Sequence, residues 1–510
     1  MAGPRDRRRE TWMQYDRQTA LDRYRRPLMV ACLAFGAFAL FLCFYRAWDA
    51  DEFEHLQFTW LLSQGRTPYR DFFEHHTPVF HLLTAPYFDM IRDAGPGVML
   101  VAPFGLRILC TLFTALTACV VFAMTRRAAG SGTATMAVAL FLSCSFVLEK
   151  GIEIRPDSLA ALLLAVSGYA VARGLCDAPT AEERLSWALV AGLATGGTLM
   201  ASQKGIFAVL GLYAAAWVLA LRRHGRGPAL SFSGVVLLGL LAAVLPVLWL
   251  FAARGALGEF FQHNVVLVVL WPRDFAAEGW RWLALVLAKD TVFVALTLLG
   301  VALLGRRLGR RPQTGLGTIV VLTLVASAIG FVVLPIAQRQ YLFMTAPFAA
   351  MAAAVAAGWL AERWARAGRQ AWVAALPVLV VGYFGFHAIL ALGHPDRHTI
   401  DKLDHVLHHT SPSDTVLTGW SPGVAFRRPA FFYGFPHQEV RTFIPLAMVE
   451  ELAGDLRSGR AHPVLVDFDD DLQAMPEVLT RAIRDMYEPT GVATLWKRRR
   501  EPLQARGAAP

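Results

Sequence analysis

Apolar residues fall in long blocks separated by short polar interruptions, a pattern without the two-residue alternation of exposed strands. Blocks of about 18 residues or more can cross a hydrocarbon layer roughly 30 Å thick when helical. The pattern predicts spans at 27–46, 104–125, 133–148, 157–173, 187–202, 205–221, 230–252, 283–304, 316–335, 340–360 and 371–392, about eleven in all. Two stretches break the rhythm. Residues 47–103 make a long first loop, and from Gly393 onward the chain turns polar and turn-rich.

Within the loop, apolar positions Phe53, Leu56, Trp60 and Leu61 recur at helical spacing, and Gly65 supplies a stop. This predicts an amphipathic helix from Asp51 to Gln64, lying in the membrane interface with Asp51, Glu54 and His55 opposite its apolar face. Val79 to Met90 is apolar but too short to span, and reads as a second interfacial or re-entrant helix. The segment between spans seven and eight either forms a further such helix, with His263 and Asn264 towards a cavity, or is a plain loop anchored by tryptophans. In the last hundred residues, "TIDKLDHVLHHT" and "PEVLTRAIRDMY" read as helices, and "DTVLTGW", "HPVLVDFDDD" and "GVATLWKRR" as strands. Such alternation predicts a small α/β domain over 393–500, with 501–510 as a flexible tail. The run Asp467, Asp469, Asp470, Asp471 lacks the spacing of a calcium loop and is expected to be a solvated turn.

Composition agrees with a polytopic α-helical membrane protein: 55% of the 510 residues are hydrophobic. The net charge of +10 sits in "RDRRRE", "RYRR", "TRR", "RRHGR", "RRLGRR" and "ERWARAGR", which alternate parity assigns to one face, the cytoplasm. Residues 1–26 then form a basic cytoplasmic N-terminus, 27–392 the transmembrane domain, and the first loop and C-terminal domain lie outside, periplasmic in a bacterial inner membrane. Scattered over many loops, these arginines make no nucleic-acid stripe. The six cysteines lie in or just after apolar runs, which excludes a disulfide framework in the C-terminal domain.

Basic residues on the disfavoured outer side say more. Lys150, Arg155, Lys204 and Arg339 each fall at the outer junction of two predicted spans. Each could pair with a neighbour such as Glu149, Glu153 or Asp157, but their recurrence suggests a cationic floor under an outward cavity, suited to an anionic ligand such as a lipid phosphate. Asp51, at a low-dielectric surface, is placed either to accept a proton as a general base or to cap its helix. His75, His76 and His81 with Glu74 could hold a divalent metal, but their spacing matches neither H-E-x-x-H nor a zinc finger, so no metal is assigned.

Five segments in order resemble the GT-C superfamily of polyprenyl-phosphate-dependent glycosyltransferases, in particular the family 39 group of protein O-mannosyltransferases and lipid A aminoarabinose transferases. They are the "DE" pair Asp51–Glu52, "GRTPYRDFFEHHTPVF", "RPD" (155–157), "SQKG" (202–205) and "RQYLFMTAPFAA" (339–350). The resemblance implies an inverting transfer from a polyprenyl-phosphate sugar to a glycolipid, glycan or protein acceptor, with Asp51, beside Glu52, as catalytic base. It implies donor-phosphate roles for Lys204, Arg339 and Arg155. His55, Glu74, Asp157, His263 and Tyr341 are expected at the cavity or the acceptor. The chain departs from the aminoarabinose transferases at their "KPPL"-like segment: here "HTPV" puts His76 where a donor-binding lysine stands. The rival classes are a lipid-linked sugar transporter or flippase and a non-catalytic envelope assembly protein.

Overall fold

The computed structural model describes residues 19–271, 276–310, 315–333, 339–396 and 398–499. It is a helical bundle topped by a small sheet. The first helix, α1 (Arg25–Tyr45), leads into α2 (Ala50–Ser63) and α3 (Val79–Met90), the two short helices of the first loop. Helix α4 (Pro96–Ala129) is followed by α5 (Ser131–Ser143), α6 (Ser145–Lys150), α7 (Pro156–Ala172), α8 (Ala181–Ala201), α9 (Ile206–His224) and α10 (Arg226–Ala253). The segment α11 (Leu257–Val269) lies where a third interfacial helix was one of two expectations. Then come α12 (Ala276–Lys289), α13 (Thr291–Arg310), α14 (Gly315–Val333), α15 (Arg339–Arg366) and α16 (Gln370–Leu392).

Helices occupy all eleven predicted span positions, but by length and composition eight of the described helices can cross a membrane. A ninth is possible if the pair Leu283–Lys289 and Thr291–Arg306, bent by 92°, counts as one span. The two others explain themselves. Helix α5 has 13 residues, about 20 Å, and is buried along most of its length inside the bundle before the chain turns at Cys144. Helix α8 opens on Glu182 and Glu183, which shorten its apolar stretch.

Burial separates the centre from the rim. In α15, 83% of the most apolar window is buried, against 22% in the first helix, so the alanine-rich "AAMAAAVAAGW" is the axis and α1 faces lipid. Small residues let backbones touch, which is how helices associate where no hydrophobic drive separates them from lipid. A side chain on Gly192 of α8 would lie 2.1 Å from the Val236 carbonyl of α10, so the crossing requires glycine.

The C-terminal region begins with α17 (Thr399–His409) and holds a five-stranded sheet in the order β2-β1-β3-β5-β4. Strands β1 (Thr415–Leu417), β2 (Arg428–Pro429) and β3 (Leu465–Asp467) are parallel; β4 (Tyr487–Pro489) and β5 (Leu495–Arg498) close it antiparallel. All five predicted elements are present. Helix α18 (Leu446–Ser458) and the two short strands β2 and β4 were not anticipated, and α18 packs with α19 (Glu477–Met486) through Leu452, Leu456, Leu479 and Ile483. The aspartate run is only partly solvated: Asp470 is exposed, but two of its members are buried. Asp467 is buried against Lys402 at 2.7 Å, and Asp469 accepts from the Leu472 backbone at 2.9 Å, capping a one-turn helix.

This region clamps the first loop. The Gln57 side chain accepts from the Phe426 N–H at 2.7 Å and donates to the Arg427 carbonyl at 2.5 Å, while Phe73 N–H donates to the Phe432 carbonyl at 2.9 Å. With α3 beneath and this cover above, every residue of α2 from Glu52 to Ser63 is buried. The expected interfacial helix exists, but its polar side is enclosed rather than facing water.

Candidate functional site

Helix α2 starts where sequence chemistry says it should. Asp49 caps it, accepting from the Asp51 N–H at 3.1 Å, while the Glu52 side chain accepts from the Asp49 N–H at 3.0 Å. This reciprocal capping box, with acids in the first turn, suits the positive end of the helix. Glu52 is also gripped by Arg107, Nε to Oε1 at 2.7 Å and Nη2 to Oε2 at 2.5 Å, and takes the Ile154 N–H at 3.1 Å. Arg107 comes from the middle of apolar α4, is fully buried, donates to the carbonyls of Cys43, Arg46 and Ala47, and lies 3.4 Å over the Trp48 ring. It fastens the end of α1 to the start of α2. Glu52, expected as the second acid of the "DE" pair, therefore has both oxygens committed to Arg107 and backbone N–H groups.

Asp51 points the other way. It is ion-paired with Arg155, whose Nε bonds Glu153 at 2.8 Å and whose guanidinium lies 3.8 Å from Asp49 and 4.0 Å from Asp157. Asp157 in turn sits 3.6 Å from Lys204, and its other oxygen accepts from Ser202 at 3.0 Å. Lys150 bonds Glu153 at 2.7 Å and Asp49 at 3.1 Å, and Arg46 reaches Glu153 at 3.1 Å. The "RPD" motif explains the placement: Pro156 opens α7, so Arg155 and Asp157 flank its first turn, and "SQKG" brings Lys204 to the same level between α8 and α9.

Among the described residues this makes one network in which Arg46, Arg107, Lys150, Arg155 and Lys204 face Asp49, Asp51, Glu52, Glu153 and Asp157. The expected cationic floor is thus a balanced one. Most of it is buried, but the Asp51 side chain keeps 22% exposure. Burial, reinforced by Asp49, pushes Glu153 up to about 7 despite Lys150. For Asp49, burial is outweighed by Lys150 and Arg155, which hold it well below the usual carboxylate range.

A second cluster lies on the same loop. The Glu74 Oε1 atom accepts from the backbone N–H groups of His75 and His76, both at 2.7 Å, and from His76 Nδ1 at 2.9 Å. His55, Glu74 and His81 are each 1% exposed. Burial and nearby cations, first Lys204, put His76 far below the ordinary imidazole range. A neutral His76 that donates from Nδ1 to Glu74 presents a lone pair at Nε2, and so cannot replace a lysine as a phosphate cation. His263 Nδ1 lies 3.0 Å from the Glu74 carbonyl, and the Tyr341 ring lies 5.9 Å from Lys204. Burial raises the Glu54 carboxyl well above its usual range, with Glu74 adding to it. The Arg339 side chain lies outside the described residues.

The structure thus joins Asp51, Arg155, Asp157 and Lys204, with Tyr341 at the edge, and gathers His55, Glu74, His76 and His81 into a separate group. Sequence reasoning overlooked Arg107 and gave Glu153 and Arg46 no part in the site. A buried arginine at the centre of an apolar block was the available signal.

The description of dolichyl-phosphate-mannose-protein mannosyltransferases matches residues 85–251, a segment that contains Arg155, Asp157 and Lys204 and begins after Asp51. No curated protein matches the sequence significantly. Among solved structures, the ArnT of Cupriavidus metallidurans bound to undecaprenyl phosphate is similar with a TM-score of 0.64 at 13% identity, over 92% of this chain and 96% of that one. The archaeal oligosaccharyltransferase AglB of Archaeoglobus fulgidus, in complex with an inhibitory peptide and a dolichol-phosphate, is similar with a TM-score of 0.54 at 12% identity, over 95% and 75%. The chain is thus similar in fold to these two solved structures, and its segment 85–251 matches the mannosyltransferase family model.

Proposed function

We propose that the protein is an inverting glycosyltransferase that moves a sugar, hexosyl or pentosyl, from a polyprenyl-phosphate donor to an extracytoplasmic glycolipid, glycan or protein acceptor. The observation that carries this reading is the chain of contacts Asp51–Arg155–Asp157–Lys204, buried at Arg155 and Asp157 and partly exposed at both ends, more so at Asp51. ArnT binds undecaprenyl phosphate and AglB dolichol-phosphate on the same fold, which supports a lipid phosphate here.

In the reaction the acceptor hydroxyl oxygen forms a bond to the anomeric carbon as the bond from that carbon to the phosphate oxygen breaks. The polyprenyl phosphate leaves with the electron pair, and Asp51 takes the hydroxyl proton. In the resting state Asp51 is ion-paired with Arg155. A donor phosphate that draws Arg155 and Lys204 to itself releases the Asp51 carboxylate to take the acceptor proton, and the same cations stabilise the charge that grows on the leaving phosphate. Arg339, placed near Tyr341 by sequence, joins them in this scheme. Glu52 and Arg107 hold the helix that aims Asp51. The loop and the C-terminal region face the outer side, with the N-terminus cytoplasmic.

The test is purification with bacterial lipid extract, followed by mass spectrometry of co-purifying polyprenyl-phosphate sugars and a transfer assay with the sugar found. Release of polyprenyl phosphate together with a glycosylated acceptor is expected. Movement of labelled lipid across vesicles with its sugar bond intact would replace transfer by transport.

A further inference from the structure

The geometry points to a metal site formed by His55, Glu74 and His81, apart from the Asp51 network and independent of the proposed transfer. One ligand atom from each of the three lies within 4.8 Å of the other two, and all three residues are buried. The residues come from α2, the intervening loop and α3, so a bound ion would tie together the three pieces of the first loop.

Hydrogen bonding makes the case stronger than proximity does. His55 Nδ1, Glu74 Oε2 and His81 Nε2 are buried and have no hydrogen-bond partner. Buried polar atoms are rarely left so, and three in one place call for a common cause. The partners of the remaining atoms bear on what the orphans are. Thr59 Oγ1 lies 2.9 Å from both the His55 carbonyl and His81 Nδ1, and when its single hydrogen goes to the carbonyl it accepts from His81 Nδ1. With its hydrogen on Nδ1, His81 turns the Nε2 lone pair towards Glu74 Oε2, 3.3 Å away. Glu74 is turned to match: Oε1 is saturated by three N–H donors, leaving Oε2 free. A lone pair and a carboxylate oxygen repel each other unless a cation lies between them.

The 3.3 Å separation agrees with the edge of a zinc tetrahedron, about 3.4 Å for ligand bonds of roughly 2.0–2.1 Å. Two imidazoles and a carboxylate suit Zn²⁺ better than Mg²⁺ or Ca²⁺, which prefer all-oxygen shells. Thr59 on His81, and the N–H groups on Glu74, are the outer partners that orient metal ligands. The adjacent grouping of Glu74, His75 and His76 shares Glu74, and His75 Nδ1 there is likewise buried without a hydrogen-bond partner, but His76 Nδ1 is already bonded to Glu74 Oε1. The H-E-x-x-H and zinc-finger spacings do not find this site, because its ligands meet only when α2 packs on α3.

The test uses the full-length protein in detergent, stripped with a chelator and titrated with Zn²⁺ alone, then with Co²⁺ for its four-coordinate visible spectrum. About one tight equivalent per chain is expected, with a rise in the unfolding temperature. His81→Gln should abolish it. Thr59→Val keeps shape and volume, so it should fold even where His81→Gln does not, and should weaken binding by about 10- to 100-fold. Replacing the stacked surface pair His405 and His409 by alanine should leave the tight equivalent in place. Failure of the wild-type protein to take up stoichiometric metal overturns the proposal, as does uptake that survives His81→Gln or is unweakened by Thr59→Val.

Discussion

Two largely buried polar clusters meet at the first loop, and they are solved in opposite ways. Around Arg107 and Arg155 almost every charge meets its opposite, and a single atom, Asp157 Oδ2, lacks a hydrogen bond while still lying 3.6 Å from Lys204. Around Glu74 three buried atoms lie together without a hydrogen bond, His81 Nε2 3.3 Å from Glu74 Oε2. The first cluster is complete as a structural unit and reacts only when a ligand reopens one of its pairs. The second is complete only with a guest. A low-dielectric site rewards both arrangements and tolerates neither when half filled.

The largest effect should come from opening the first cluster at its reactive end. Asp51→Asn preserves shape but removes the proton acceptor, and transfer should fall by about 10²- to 10⁴-fold in a single-turnover assay while donor lipid is still retained. A rate near wild type would move the chemistry away from this network.

Arg107→Met attacks the same cluster at its structural end. It strands Glu52 as a buried uncompensated carboxylate, and breaking such a pair costs about 3–5 kcal/mol, visible as a drop in unfolding temperature in detergent. Little change in that temperature would show that the pair is not what seats α2.

A titration probes the balance of charges. Glu153, raised to about 7, is ionised above that pH and gives the network an extra negative charge. The proposed donor is a phosphodiester with one fixed negative charge, so its affinity should rise as pH falls from 8 to 6, by up to about tenfold. Glu153→Gln should flatten this slope. An unchanged slope would assign the titration to another group. For folding the sign is the same: a raised pKa favours the fold below the unfolded value near 4.3, and that contribution is lost as pH climbs through about 7.

The smallest effect should lie in the second cluster. In metal-free protein, His55→Phe removes an orphaned nitrogen and keeps a ring, so stability should change by less than about 1 kcal/mol, and a loss as large as that of Arg107→Met would mean the cluster is already closed.

Much of the site was legible because it depends on local chemistry. Asp49 and Glu52 spell a capping box, Gly65 (φ 77°) ends α2, and "RPD" announces a helix start with charges on either side. Arg107 was passed over because a single charge inside an apolar block reads as noise until its partner, fifty-five positions earlier in the chain, is known. The enclosure of α2 was misread for a related reason. Its polar face has the periodicity of a water-facing surface, and only the docking of Phe426 and Arg427 on Gln57 shows that no water face is left.

The sequence by itself determined the class of molecule, because the length and spacing of apolar blocks answer to the thickness of a bilayer and need no tertiary contact to be read. It also marked the start and stop of α2 and the start of α7, since caps and stops act within a few residues. Tertiary structure alone decided which charges meet. Pairing in a buried site depends on side chains from α2, α4, α7 and the α8–α9 turn arriving within 4 Å of each other, and desolvation makes every such meeting either strongly favourable or prohibitive. That selectivity turned an expected cationic floor into a balanced network, and set three unpaired ligand atoms side by side.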